Sequence, residues 1–269
     1  MSTATRLGRP LLRSATRTLA TVLGAVIAIV LVWTLFLRVV QVSPFVAKSP
    51  GDVLDYLFTA PEAAAHCAAI LADLMRTLTD AAYGYLLGLA LAAAVSLIFY
   101  FSRTVETMFG PTVTAVHAIP MVTVAPILVL VFGRGALATA VIGAAVVVVP
   151  ALLTMLNGIR STPRTDLDMI TAFGGSRLDV FGKVALPHAV PTWFAAARVA
   201  VTTSVVGALL AEWLATGEGL GGQMLRAANE FQFDRLWASV VVLTVVCVAV
   251  YQVVAFAEEL VAARMSAPR

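Results

Sequence analysis

The sequence predicts an all-α, polytopic membrane protein of about six transmembrane helices, and three observations carry that prediction. The 269-residue chain is 60% hydrophobic, while Asp, Glu, Lys and Arg together make up only 12% of it. That charged share is about half of what an ordinary soluble domain carries, too little to cover a soluble surface of this size. Uncharged stretches near the roughly 20 residues that a spanning helix needs recur along the whole chain. The segments between them are too short for a second soluble domain, so one helical membrane domain over residues 18–262 accounts for the sequence.

Residues 1–17 form a basic tail with Arg6, Arg9, Arg13 and Arg17. Residues 18–37, the first span, carry no charge and are longer than the 7–15 residues of a signal-peptide core, so an uncleaved span is expected. The other uncharged stretches are residues 81–102, 107–133, 135–159 and 236–257, and residues 187–214 are interrupted only by Arg198 and Glu212. Residues 263–269 form a short second tail. Arg103, Arg160, Arg164, Arg177, Lys183, Arg264 and Arg269 fall on the same side as the basic first tail, and Arg38, Lys48, Arg76, Arg134, Arg226 and Arg235 on the other. The positive-inside rule then places both termini in the cytoplasm, with the chain in the cell (plasma or inner) membrane and lipid around it.

Between the first two spans, Ser49-Pro50-Gly51-Asp52 reads as a helix start, with Ser49 as N-cap and Pro50 in first position. Residues 61–78 are Ala-rich and read as a helix at the membrane interface. Gly84 and Gly88 form a small-xxx-small pair that lets helices approach closely. Pro120 and Pro126 in the third span and Pro150 in the fourth predict kinks, either for packing or along a cavity. No internal repeat is visible, which gives no support to an inverted-repeat carrier. Cys67 and Cys247 fall at different depths, so neither a disulfide nor a metal site is expected, and the spread of the basic residues predicts no nucleic-acid partner.

The longest inner connection, residues 160–187, has helical punctuation of its own. Thr165-Asp166-Leu167-Asp168 reads as a capping pattern opening a short helix that runs to Phe173. Gly174-Gly175 supplies a corner. Ser176-Arg177-Leu178-Asp179 repeats the capping pattern before a second short helix, which leads through Leu186-Pro187 to the fifth span. Leu167, Ile170, Phe173, Leu178 and Phe181 are available either to fill a partner's groove or to pack on the bundle itself.

Residues 168–187, DMITAFGGSRLDVFGKVALP, resemble the "EAA" loop of binding-protein-dependent ABC importer permeases. Gly174 follows the acid Asp168 by six residues, Leu186-Pro187 ends the loop as in the family, and Pro191 also matches. The acid is Asp where the family usually has Glu, and Met169 and Ile170 replace the two alanines. His117-Ala118-Ile119-Pro120 with Ala125-Pro126 and Val131-Phe132-Gly133 resembles the third span of the nitrate, sulfonate and taurine branch. Ala211-Glu212-Trp213-Leu214 with Gly219-Leu220-Gly221 resembles its loop after span five, and Arg76-Thr77 with Gly84 and Gly88 its entry into span two.

This resemblance, over residues 70–262, implies a permease subunit that forms the translocation pathway of an ATP-driven importer. Residues Asp168, Phe173, Gly174, Gly175, Ser176, Leu186 and Pro187 would then belong to a cytoplasmic coupling helix between helices 4 and 5 that docks on a cytoplasmic ABC ATPase dimer. An extracytoplasmic solute-binding protein would deliver the solute, and a second copy of the permease would complete a homodimer. The branch implies a small organic anion such as a sulfonate, taurine or nitrate, with a thiamine-precursor-like heterocycle as the alternative. The chain has no GxxxxGK[ST] phosphate loop, so ATP is expected on the partner and no cofactor or metal in this chain.

Arg198 and Glu212 are charges within a span and hence functional candidates. Fourteen residues of straight helix separate them by about 21 Å, so they are not expected to pair. Arg198 either faces the pathway and attracts an anion or serves structure near the loop. Glu212 either acts at an outer gate or fastens the following loop. His117 and Pro120 complete the pathway or gate candidates. The paired acids Glu258-Glu259 read as a solvated inner end of the last span. The lack of HExxH, GxSxG and a close pair of intramembrane carboxylates argues against an intramembrane enzyme. An ATPase-independent channel or carrier, and a membrane scaffold, remain as rivals.

Overall fold

In the computed structural model the chain is described at Gly24 and over residues 26–41 and 43–265. The expected basic tail, the start of the first span and residues 266–269 lie outside the described residues. All regular structure among the described residues is helical. The elements are α1 (Val26–Val40), α2 (Pro50–Leu54), α3 (Ala63–Phe101), α4 (Arg103–His117), α5 (Met121–Phe132), α6 (Ala136–Arg160), α7 (Arg164–Ala172), α8 (Arg177–Val180), α9 (Leu186–Ala211), α10 (Gly219–Asn229) and α11 (Phe233–Met265). Among the described residues four helices are long and apolar enough to cross a membrane, and up to five spans result if the bent pair α4–α5 counts as one.

Three helices, α3, α6 and α9, build the core, and glycine sets how close they come. A Cβ on Gly84 would lie 2.7 Å from Gly143 Cα, and one on Gly207 would meet the same atom at 2.7 Å. Gly88 sits against Val147 in the same way. The small-residue pair expected in the second span therefore serves packing within the subunit. Around this crossing Ala92, Val147, Ala151, Ala196 and Ala200 are buried. α11 lies against α9 and α10 with most of its surface turned outward. Its start is tied to α1 by stacking of Trp33 on Trp237, with ring centroids 5.2 Å apart. Trp237 Nε1 also donates to the Val46 carbonyl at 2.9 Å.

The cap at Ser49 forms as expected. Its hydroxyl accepts from Asp52 N (3.2 Å), and the Asp52 carboxylate accepts from Ser49 N (2.7 Å). Residues 61–78 do not make a separate interfacial helix. From Ala63 onward they are the first part of α3, whose 39 residues extend about 58 Å, well beyond a hydrocarbon core of about 30 Å. Ala-rich sequence with no proline or glycine between Ala63 and Tyr83 offers no point at which to break it.

The third span is also not one kinked helix. α4 and α5 meet at a bend of 102°. The cause is local: Pro120 has no N–H to continue the ladder, and it drives Ile119 out of the helical region. Pro111 and Pro126, inside α4 and α5, are accommodated without a break.

Candidate functional site

Two regions, at opposite ends of one long helix, hold the predicted site residues. The helix begins at Arg177 and runs to Thr216, 40 residues in all. It joins α8, α9 and two π-turns, Phe181–Ala185 and Glu212–Thr216. The first π-turn explains why no break separates α8 from α9. Pro187 lacks the N–H that an α-helix would direct at the Lys183 carbonyl, and the wider turn, in which Leu186 N bonds Phe181 O, absorbs that loss.

At one end, α7 and α8 meet at the glycine corner. α7 begins at Arg164 after Pro163, not at a Thr165 cap. Pro163 is already extended (φ −57°, ψ 134°) and caps the helix two residues before Thr165, so Thr165 lies in the first turn and its hydroxyl reaches only the Asp166 carboxylate. Phe173 closes α7, and Gly174 turns the chain with φ +79°. A Cβ at Gly174 would touch nothing, whereas one at Gly175 would run into Ile170. Ser176 then forms the expected capping box: its hydroxyl accepts from Asp179 N (3.2 Å) and the Asp179 carboxylate accepts from Ser176 N (3.0 Å). Lys183 pairs with Asp179 at 2.6 Å.

The apolar residues of this segment divide into two sets. Leu167 and Phe181 pack on the bundle with Ile159, Ala185, Ala189 and Trp193. Phe173, Leu178 and Met169 point away, and Phe173 is 88% exposed. Asp168 is exposed near them, and Leu186 and Pro187 open α9. The corner is thus anchored by one face and presents an apolar tip with the other.

At the far end, Glu212 is fully buried (0% exposed). Its Oε2 accepts from Gly221 N at 2.7 Å. Thr77 of α3, also buried, accepts from Leu220 N at 2.8 Å, and Trp213 Nε1 donates to the Gly221 carbonyl at 2.9 Å. Gly217 (φ +67°) and Gly219 (φ +70°) provide the loop geometry, and a side chain at Gly219 would collide with the Glu212 carboxylate. Glu212, with Thr77 beside it, is therefore a clasp: the one fastens the loop between α9 and α10 to the start of α10, the other ties it to α3. Its Oε1 and Asp80 Oδ2 nearby are buried without a hydrogen-bond partner. Arg76 and Glu218 form an ion pair above the clasp.

Arg198 is engaged as well. Its guanidinium lies 3.3 Å from Glu258 of α11 and 5.5 Å from the Tyr251 ring centroid. Glu258 is thus a partner for an intramembrane charge and not part of a solvated end. Position along two helices was the available signal: both residues lie well inside the ends of α9 and α11. His117 and Pro120 are exposed at the α4–α5 bend. The four pathway candidates are accordingly not gathered into one site. Among the described residues no cluster of His, Cys, Asp or Glu could hold a metal.

The family of binding-protein-dependent transport system inner membrane components matches residues 84–267, which include the corner, the long helix and the clasp. The chain belongs to that family. It is an ABC importer permease subunit, an integral inner-membrane component with several spans. A probable ABC transporter permease of Haemophilus influenzae is 29% identical over 83% of this chain and 89% of the relative. The formylaminopyrimidine transport permease of Halalkalibacterium halodurans is 24% identical over 80% and 84%. The taurine transport permease of Escherichia coli is 27% identical over 83% and 82%. In structure, the permease resembles a chain of the inward-facing MetNI methionine ABC transporter, with a TM-score of 0.59 over 71% of this chain and 93% of that one at 18% identity, a likeness of fold.

Proposed function

We propose that this permease has six spans with both termini in the cytoplasm, and that it works as a homodimer with a cytoplasmic ATPase dimer. ATP is bound by that partner, and this chain carries no cofactor. The observation that carries the proposal is the anchored apolar corner at residues 173–178, continuous with a 40-residue helix that ends in the Glu212 clasp. Phe173 and Leu178 fill a cleft on the ATPase. Gly174, Gly175, Ser176 and Asp168 shape the corner that presents them, and Leu186 and Pro187 join it to the span. Movement of the ATPase then shifts the whole rod, a two-state element biased by nucleotide. Arg160, Arg164, Arg177 and Lys183 near the corner support a cytoplasmic inner end.

The solute is small and organic and is delivered by an exported binding protein. The taurine relative supports an organic anion. One observation favours the second class, a nitrogen heterocycle of the kind that the formylaminopyrimidine relative is named for. Arg198, the span cation suited to attract an anion, is already matched by Glu258.

Purification of the tagged chain from its native membrane, followed by mass spectrometry, tests the proposal. Recovery of a Walker-motif ATPase and an exported binding protein is expected. That binding protein can then be screened against pyrimidines, flavins, taurine and alkanesulfonates. Recovery of the chain alone, stable and active, would point to an ATPase-independent channel or carrier.

A further inference from the structure

The first part of α3, Glu218 and one face of α10 border an open recess of about 620 Å³, whose lining includes Asp73, Arg76, Glu218, Gln223 and Arg226. Its charges are unequally matched. Arg76 pairs with Glu218, and Asp73 pairs with Arg235 at 3.2 Å. Arg226 reaches only the Gln223 side-chain oxygen, at 3.4 Å, and makes no ion pair among the described residues. Two guanidiniums therefore face one space with one carboxylate free to serve them, and a carboxylate is the group that a guanidinium fork grips best.

The recess leads nowhere. Its floor is Gly219, and beneath that the buried Thr77–Leu220 and Glu212–Gly221 bonds shut it off from the spans. A transported solute would meet a closed floor, whereas a docking side chain needs no way through. Glu218 stands between Gly217 and Gly219, both at positive φ, so it sits on the part of the loop whose backbone glycine sets.

We propose that this recess seats an acidic side chain of the exported binding protein, gripped by Arg226 and Arg76, so that docking draws Arg76 from Glu218 directly above the Glu212 clasp. The proposal rests on the importer reading, which puts this end of the bundle on the outer side. It gives the long helix a contact at each end: the ATPase at the glycine corner and the binding protein over the clasp.

The test uses the native complex in lipid nanodiscs with its own ATPase and the binding protein that co-purifies with it. Arg226→Glu is expected to slow association of the binding protein about tenfold and to flatten its dependence on salt, as loss of a steering charge does. Arg226→Lys keeps most of the rate. Arg226 is exposed, and co-elution of each variant with the ATPase reports that it has folded. Association of Arg226→Glu at the wild-type rate overturns the proposal. So does a variant whose binding of free solute falls while its binding of the binding protein does not. A wild-type complex that captures no exported protein would instead overturn the importer reading itself.

Discussion

Glu212 shows how one side chain can hold a membrane protein's loop. A carboxylate buried beside a helix end is costly unless it is bonded, and here the backbone N–H of Gly221 supplies the bond. Glu212→Ala leaves that N–H without its acceptor and opens a cavity. It is expected to destabilise the fold by about 2 kcal/mol, read as a lower unfolding temperature in detergent. Glu212→Gln retains an acceptor oxygen and should lose less; equal loss in both variants would show that the charge, not the bond, matters. A second residue-scale prediction concerns Gly143, which touches both Gly84 and Gly207. Gly143→Val forces two helices apart and should cost about 1–3 kcal/mol or prevent assembly of the bundle, measured in the same melts.

At the scale of elements, the ion pair between Arg198 and Glu258 ties the long helix to α11. Arg198→Met alone leaves Glu258 unpaired and is expected to destabilise by about 2 kcal/mol, while adding Glu258→Met should recover much of that loss. A double variant no better than the single one would mean that the two residues act independently. The capping box at Ser176 makes a milder prediction. Ser176→Ala should cost about 1 kcal/mol locally, seen as faster hydrogen exchange at residues 177–180 with little change in global melting.

The elements were legible wherever a local signal decides. Ser49 and Ser176 carry serine caps with an acid three residues later, and both capping boxes form. The positions of the four long apolar helices follow from apolar length, and the glycine corner from Gly174 and Gly175. Thr165 misled because Pro163, two residues earlier, starts the helix first. The third span misled because proline's effect ranges from a tolerated kink at Pro126 to the full bend at Pro120, and neighbouring packing decides which. Thr77's bond to Leu220 and Glu258's pairing with Arg198 join positions far apart in the chain, which no periodicity reveals. The expectation that the corner is a coupling loop came from resemblance, and the division of its apolar side chains into anchored and exposed sets needed the fold.

For the whole molecule, the outward faces matter most. Leu130 on α5 and Val253 on α11 are among many large apolar side chains left uncovered by the single chain, as expected where lipid or a second copy lies against it. Native mass spectrometry of the purified complex should find two copies of this chain with two ATPases; a single copy would contradict the homodimer. The central claim is that the corner at Gly174 transmits ATPase motion through the long helix. Transport by the reconstituted complex should therefore be compared in Gly174→Ala and Gly174→Trp. Both substitutions strain the same positive-φ backbone by about 1–2 kcal/mol, but only Trp projects bulk into the open space beside the corner. Gly174→Ala is expected to transport measurably and Gly174→Trp not at all, although both reach the membrane in similar amounts. Wild-type transport by Gly174→Trp would contradict the account.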